Sequence, residues 1–397
     1  MLNRILRRLA GPDHEVKDLA RAVKKLSDAQ RDHSASVLAR LGQLDDLIAQ
    51  RSTGKDANEI LHALRATTAL VGKGLPAGDG AARSEARLHK SLDAVAKGNR
   101  PIIVGPWSGE VGFELLYWIP FVEWFRTRWR VAPERLVIVS RGGTEPWYGV
   151  AGARYADMFS LMTPAEFRAR TDQHEHKQRG VSPFDETIAR DAQVRLGIAD
   201  AATLHPRLMY RLFAPYWKDE AGFGLIDRFT IHRRIAAFDD PALAGLPTNY
   251  VAVRFYFSDC FPDTAGNRAY ATRSVEAIAR HTPVVLLNPN LQLDDHADAV
   301  TATSSRITSI AAGLSPERNL AAQTAVIARA KAFVGTYGGY SYLAPLCGVP
   351  AIGLYSDLTF KLHHLAAAQR ICEKLGCATV LAVDAAQAEA VHLATEM

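Results

Sequence analysis

The stretch 332–356, AFVGTYGGYSYLAPLCGVPAIGLYS, holds the residues best arranged for chemistry. Phe333 and Val334 are apolar strand formers, and Thr336, Tyr337, Gly338 and Gly339 make a turn that opens onto a helix at about Tyr340. The helix stops at Gly348, and Val349-Pro350 leads into a second apolar run. A glycine turn feeding a helix N-terminus aims backbone N–H groups at an anion, assisted by the helix dipole. The ligand expected is a phosphate or a nucleotide diphosphate, with the Thr336 and Ser341 hydroxyls as further donors. Tyr337, Tyr340 and Tyr342 either stack on a base or sugar or pack inside the protein.

Other groups fall at the ends of expected strands. Arg254, in VAVRFYF at 251–257, is placed to point from a strand end toward the phosphates, with Val251, Val253 and Phe255 turned to the opposite face. The competing reading is a surface salt bridge. Arg141 follows the apolar run 136–139 and precedes Gly142 and Gly143, so it stands in the same relation to its strand as a possible phosphate or acceptor contact. Asn288 ends the run PVVLLN, where it would contact the nucleotide. Asp259 and Asp263 lie in a proline-bearing loop and are read as loop caps. His174-Glu175-His176 offers two imidazoles two residues apart without a third ligand, so no metal site is expected. Cys260, Cys347, Cys372 and Cys377 lack paired zinc spacing and read as reduced, mostly buried thiols of a cytoplasmic protein.

The elements that must position these groups follow from pattern. The chain has 397 residues, 48% hydrophobic and 22% charged, which implies two globular domains plus an extension. Its formal charge of +5 suits an anionic substrate or membrane surface as well as ordinary solubility. Basic residues are spread rather than clustered with aromatics, so no nucleic-acid partner is expected. The absence of a G-x-S-x-G elbow and of a G-K-[ST] phosphate loop argues against those hydrolases and against P-loop NTPases.

Residues 1–84 read as a helical arm and linker. Residues 1–10 present leucines and isoleucine on one face and arginines on the other, the pattern of peripheral contact with an anionic membrane and not of a secretory signal. Val16, Leu19, Val23 and Leu26, then Val37, Leu41, Leu44 and Ile48 in a shifted register, suggest a coiled coil or helical hairpin over 14–70 that makes a homo-oligomer or packs on the body. The Gly/Ala-rich piece 72–84 reads as linker, followed by a short helix at 86–96.

The first globular domain is expected at 85–245. It opens with a strand at 101–104 and a helix whose face is Val111, Leu115, Trp118, Ile119, Val122 and Phe125, kinked or divided at Pro120. Helices are expected at 155–161, 164–170 and 185–196 and in LHPRLMYRLFAPYWKDE, with a strand or crossover at 231–234. The second domain is expected at 246–397, with strands at 250–257, 283–287, 307–310, 333–334, 351–354 and 379–382, and helices at 270–280, 316–330, 360–375 and 385–395. Strands alternate with helices throughout, so the fold class is α/β, with two Rossmann-like doubly wound domains after an N-terminal α-helical arm.

Two motifs carry a family resemblance. S-G-E-V-G-F-E-L-L-Y-W-I-P-F at 108–121 is similar to the first strand–loop–helix of the heptosyltransferase-like GT-B glycosyltransferases, in which a G-D-V/I pair opens the helix. V-G-T-Y-G-G-Y-S-Y-L-A-P-L-C-G-V-P-A-I-G-L-Y at 334–355 resembles that family's v-x-x-D-T-G-x-x-H-L-A-x-x-x-G-x-P-x-x-x-L-F. The likeness covers about 100–128 and 249–383. Tyr337, Gly338 and Tyr342 replace the family's Asp, Thr and His, while Gly339, Leu343, Ala344, Gly348 and Pro350 keep its scaffold.

The resemblance implies a metal-independent transferase without a bound cofactor, taking a sugar from a nucleotide-sugar to a cell-envelope polysaccharide or lipid-linked acceptor. It would work in the cytoplasm or on the inner face of the plasma membrane. Glu110 takes the position of the family's Asp and would be the general base, with Glu114, one turn on, as the alternative base or its partner. Arg254, Asn288, Thr336, Tyr337, Gly338, Gly339, Ser341 and Tyr342 would line the donor site. Trp107, with Tyr117, Trp118 and Trp147, would either meet the acceptor or fill the core. The altered Asp, Thr and His positions also suit a second reading, a non-catalytic GT-B-derived nucleotide- or sugar-binding scaffold that oligomerises through its arm.

Overall fold

The computed structural model describes residues 79–171, 177–288, 298, 304–310, 314–357, 362–386 and 388. Most of the expected arm, including 1–10 and 14–70, lies outside these residues, as do His174-Glu175-His176 and most of the expected last helix. Helix α1, Asp79–Ala96, begins inside the stretch read as linker. Its Leu88 and Leu92, one turn apart, are buried, and Asp93 Oδ1 accepts the Trp129 indole N–H at 2.6 Å. The described residues of Arg87–Leu212 and from Asp227 onward form one compact unit; Phe213–Ile226 belongs to a second.

The large unit contains two parallel sheets. The first comprises β1 Ile102–Val104, β2 Leu136–Ser140, β3 Arg154–Asp157 and β4 Ala202–Leu204, in the order β3-β2-β1-β4. The second comprises β5 Val251–Arg254, β6 Val284–Leu286, β7 Ile307–Ser309, β8 Ala332–Thr336, β9 Ala351–Tyr355 and β10 Val380–Asp384, in the order β10-β9-β8-β5-β6-β7. Counted from β5 this is 3-2-1-4-5-6, the order of a doubly wound sheet whose strand order reverses between β5 and β8. The strands are short apolar runs because both faces of a parallel sheet are covered: Ile102, Ile103 and Val104 are all buried, as is every residue of β2. A cluster of Ile103, Val137, Val139, Met158, Phe159, Phe167, Phe184 and Ile188 forms part of the first core.

The helices are α2, running as Val111–Phe113, a π-helical stretch Glu114–Trp118, and Ile119–Arg128; then α3 Glu145–Tyr148, α4 Pro164–Thr171, α5 Pro183–Arg195 and α6 Arg207–Trp217. In the second half come α7 Ala265–His281, α8 Asn319–Ala328, α9 Gly339–Leu346 and α10 Leu362–Leu375. Ser182 starts α5 with a capping box: it accepts the Asp185 N–H, and Asp185 accepts the Ser182 N–H.

One local expectation is corrected, and two open ones are narrowed. Residues 155–161 are strand β3 followed by a 3-10 turn, Met158–Ser160, which Asp157 caps through the Phe159 N–H at 2.9 Å. Residues 231–234, read as a strand or a crossover, carry no strand, which leaves the crossover. Pro120 does not divide α2. The preceding turn widens so that the Ile119 N–H reaches Glu114 O, five residues back. Pro120 has no N–H for Leu116 O, and that carbonyl is taken by His232 Nε2 at 3.0 Å. Accepting at the carbonyl fixes the proton of His232 on Nε2.

The two sheets are tied through their strand-end loops. Gly142 O, after β2, accepts the N–H groups of Leu320 and Ala321 at 2.8 and 2.9 Å, at the start of α8. The Trp147 indole donates to Thr324 Oγ1 at 2.9 Å. Tyr117 OH and His364 Nδ1 lie 2.7 Å apart, joining α2 to α10.

Candidate functional site

In a doubly wound sheet, ligands sit outside the carboxyl ends of the strands where the strand order reverses. In the second sheet that place lies between β5, which ends at Arg254, and β8, which ends at Thr336. In the first sheet it lies between β1 and β4, where the Trp107–Glu110 loop begins. The two places adjoin. A Cβ on Gly339 would lie 2.8 Å from Val111 Cγ1 and 2.9 Å from the Gly112 nitrogen; one on Gly112 would lie 3.2 Å from Tyr342 Cε2. The glycine turn after β8 and the S-G-E-V-G loop after β1 therefore touch, and glycine at 339 is what lets them approach so closely.

The turn's polar groups are engaged within the protein. Thr336 Oγ1 donates to Tyr256 O at 2.8 Å and accepts the Tyr256 N–H at 3.0 Å. Ser341 Oγ donates to Thr336 O at 3.3 Å. Tyr342 OH donates to Tyr337 OH at 2.5 Å, and burial raises both phenols. Tyr337, Tyr340 and Tyr342 are all buried in this conformation. Gly338 precedes the helix as its N-cap, and the Ser341 N–H already bonds Gly338 O at 3.0 Å, so the Gly339 and Tyr340 N–H groups, rather than the hydroxyls, are the donors that face an anion at this end.

Arg254 is neither a surface ion pair nor an unsupported cation. It is 8% exposed, with Nη1 donating to Gln323 Oε1 at 2.7 Å and to Tyr340 OH, and Nε donating to Asp298 Oδ1 at 3.3 Å. Its guanidinium lies over the Tyr340 ring, 4.6 Å from the centroid, and 5.8 Å from that of Tyr256. Three segments far from β5 in sequence, carrying Asp298, Gln323 and Tyr340, thus hold one cation at the switch point. Asn288, half-buried, follows β6, one strand further out.

The two glutamates part company. Glu110 is exposed and occupies the N-cap of α2 with extended backbone, φ −66° and ψ 144°, and its side chain makes no capping bond. Glu114 is fully buried. Its Oε1 accepts Ser140 Oγ at 2.6 Å and Tyr148 OH at 2.9 Å, and its Oε2 has no hydrogen-bond partner among the described residues. Burial pushes its carboxyl up to about 7, against the pull of the Ser140 bond and the Arg141 charge. Asp157 is raised to about 6 for the same reason, although it accepts the Gly143 N–H at 2.7 Å and the Phe159 N–H.

That Gly143 bond, with the Thr144 N–H donating to Tyr155 OH at 3.1 Å, uses two N–H groups of the turn after β2 internally. Arg141 is buried and donates to Gly109 O at 2.5 Å, bracing the Glu110 loop from beneath. Trp107 is fully buried, stacked 5.9 Å from Trp118 and 6.0 Å from Tyr210. Tyr117, Trp118 and Trp147 are buried as well, so all four aromatics are core. Tyr210, absent from the sequence reading, lines the loop: a Cβ on Gly109 would meet its OH at 3.2 Å, and burial and the nearby Glu110 raise its phenol. No local signal marks it, because its partners lie about a hundred residues away in sequence.

Among the described residues, no group of three or more His, Cys, Asp or Glu could hold a metal ion. No helix among them is long and apolar enough to cross a membrane. No family model matches the sequence, and no curated protein matches it. The fold does resemble solved structures. The iron-containing dodecameric glycosyltransferase TibC from enterotoxigenic E. coli H10407 aligns with TM-score 0.36 and 13% identity, over 64% of this chain and 58% of that one. E. coli ADP-heptose LPS heptosyltransferase II aligns with TM-score 0.37 and 10% identity, over 64% of this chain and 84% of that one. A second TibC structure, in complex with ADP-D-β-D-heptose, aligns with TM-score 0.36 and 13% identity, over 65% and 59%. The chain therefore spans less than two thirds of the TibC chains it resembles.

Proposed function

We propose that this chain is a GT-B glycosyltransferase that carries a sugar from a nucleotide-sugar to a cell-envelope glycan or lipid-linked acceptor. The observation that supports this most is the meeting of two motifs about 230 residues apart: the Glu110 loop rests on the glycine turn, with Arg254 held at the same switch point. A donor diphosphate at the carboxyl ends of β5 and β8 would face the first N–H groups of α9 and the Arg254 guanidinium. Those groups neutralise the leaving phosphate without requiring a metal. Glu110 is the base. Its carboxylate takes the acceptor hydroxyl proton as the acceptor oxygen bonds to the anomeric carbon and the sugar–phosphate bond breaks.

Burial and its bonds to Ser140 and Tyr148 beneath the loop support a positioning part for Glu114 and leave Glu110 as the base of this reading. The working location is the cytoplasm or the inner face of the membrane, with oligomerisation through 14–70. One observation favours the second reading, a non-catalytic scaffold: the Thr336, Ser341, Tyr337 and Tyr342 hydroxyls are satisfied inside the protein. Glu110→Gln separates the two. On the transferase reading it lowers turnover about a hundredfold or more, in the range of general-base catalysis, while donor affinity persists. Unchanged turnover moves the base elsewhere, and binding without turnover in the wild type leaves the scaffold.

A further inference from the structure

The C-terminus of α10 holds a feature that the transferase reading does not use. The helix ends in a Schellman turn: Gly376 adopts φ 59°, its N–H bonds Glu373 O at 3.1 Å, and the Cys377 N–H bonds Cys372 O at 2.8 Å. In this motif the side chains one residue past the glycine and four residues before it meet, ordinarily as a hydrophobic contact. Here both are thiols, Cys372 buried and Cys377 partly exposed.

The 2.8 Å backbone bond, with about 1.5 Å from N to Cα and about 2.4 Å from carbonyl oxygen to Cα, limits the Cα separation to about 6.7 Å, within the span of a disulfide. Arg234 lies against the turn, its Nε donating to Leu375 O at 3.2 Å and its Nη2 to Gly376 O, with the guanidinium beside the Cys377 thiol. Burial raises both thiols, and at Cys377 the Arg234 charge opposes the rise. Cys347, at the end of α9, is the third thiol near this turn.

We propose that Cys372 and Cys377 are a redox-active dithiol that closes to a reversible disulfide when the protein meets a peroxide. Cys377, partly exposed and beside a cation, is the entry point. Its thiolate attacks one peroxide oxygen, the O–O bond breaks, and with proton transfer one water leaves, giving a sulfenic acid. Cys372 then attacks that sulfur, the S–O bond breaks, and a second water leaves as the S–S bond forms. Two thiols lose two electrons and two protons, and hydrogen peroxide is reduced to two waters. Dithiothreitol reverses the step by thiol–disulfide exchange.

The test uses the native full-length protein and hydrogen peroxide, followed by alkylation with iodoacetamide under denaturing conditions. The expected result is a loss of two alkylatable thiols per chain, from four to two, restored by dithiothreitol. Trypsin cleaves after Lys374, between the two cysteines, so the bond appears as a cross-linked pair joining the peptides that start at Ile371 and Leu375. Cys372→Ser and Cys377→Ser each abolish that pair, and Cys347→Ser leaves it. The proposal fails if peroxide links Cys347 to either residue, if Cys377 is over-oxidised without a cross-link in the wild type, or if all four thiols survive until the protein is unfolded.

Discussion

Glu114→Gln is the perturbation that reads the interior most directly. The carboxyl of Glu114 rises from an ordinary 4.5 to about 7 because burial disfavours its charged form. The folded protein therefore holds this proton more tightly than the unfolded chain does. Its contribution to stability is fully present below pH 4.5 and is lost as pH rises toward 7. At about 1.4 kcal/mol per pKa unit, the loss is about 3 kcal/mol across that window. Glutamine keeps an oxygen for the Ser140 and Tyr148 donors and carries no charge. The variant should match the wild type near pH 4.5 and exceed it by about 3 kcal/mol at pH 8, worth roughly 4–5 °C in Tm for a body of this size.

Urea midpoints of both proteins from pH 4.5 to 8 give the difference curve, from which Asp157, raised to about 6 and common to both, largely cancels. Parallel curves would show that Glu114 is not buried as a proton-holding acid, and the argument that separates it from Glu110 would fall.

Two further substitutions probe the frame around the site. Gly339→Ala places a methyl group 2.8–2.9 Å from Val111 and the Gly112 backbone, so it should cost about 1–3 kcal/mol as an over-packed contact; an unchanged urea midpoint would mean that the two loops do not touch. His232→Ala removes the donor to Leu116 O and should cost about 1–3 kcal/mol for the carbonyl left without it. The enclosed His232 ring is pushed down from 6.5 to about 4, so its contribution is present above pH 6.5 and fades as pH falls through 4; in the variant that acid-side loss should disappear from the urea-midpoint profile, and a surviving loss would assign it to other groups.

The frame was legible where single segments carry it. The β-prone runs at 250–257, 283–287 and 351–354 each contain a strand, because a buried parallel strand is a short apolar run bounded by turn residues. Strands β3 and β4 were missed, since RYAD and ATL are too short to show a period. Pro120, expected to kink or divide the helix, leaves it undivided because the wide turn before it and the distant His232 absorb the fault that a proline makes in an isolated helix.

The site was legible only in part, and for one physical reason. Glycines at 112 and 339 can be explained locally as turn formers, but the need for Gly339 comes from a loop more than two hundred residues away. The burial of Glu114 and the Tyr340, Gln323 and Asp298 contacts that hold Arg254 are likewise products of the fold, with no trace in the neighbouring sequence.

The central claim is a nucleotide-sugar site at the carboxyl ends of β5 and β8, with Arg254 as its cation. The most direct measurement is the thermal melt of the full-length protein with UDP, GDP, ADP or CMP at millimolar concentration, for wild type and Arg254→Met. A ligand at a hundred times its Kd adds about 2.7 kcal/mol to stability. The account predicts that at least one nucleotide raises the wild-type Tm by several degrees and that the rise is lost in Arg254→Met. No rise with any of the four, or a rise that Arg254→Met leaves intact, would contradict it.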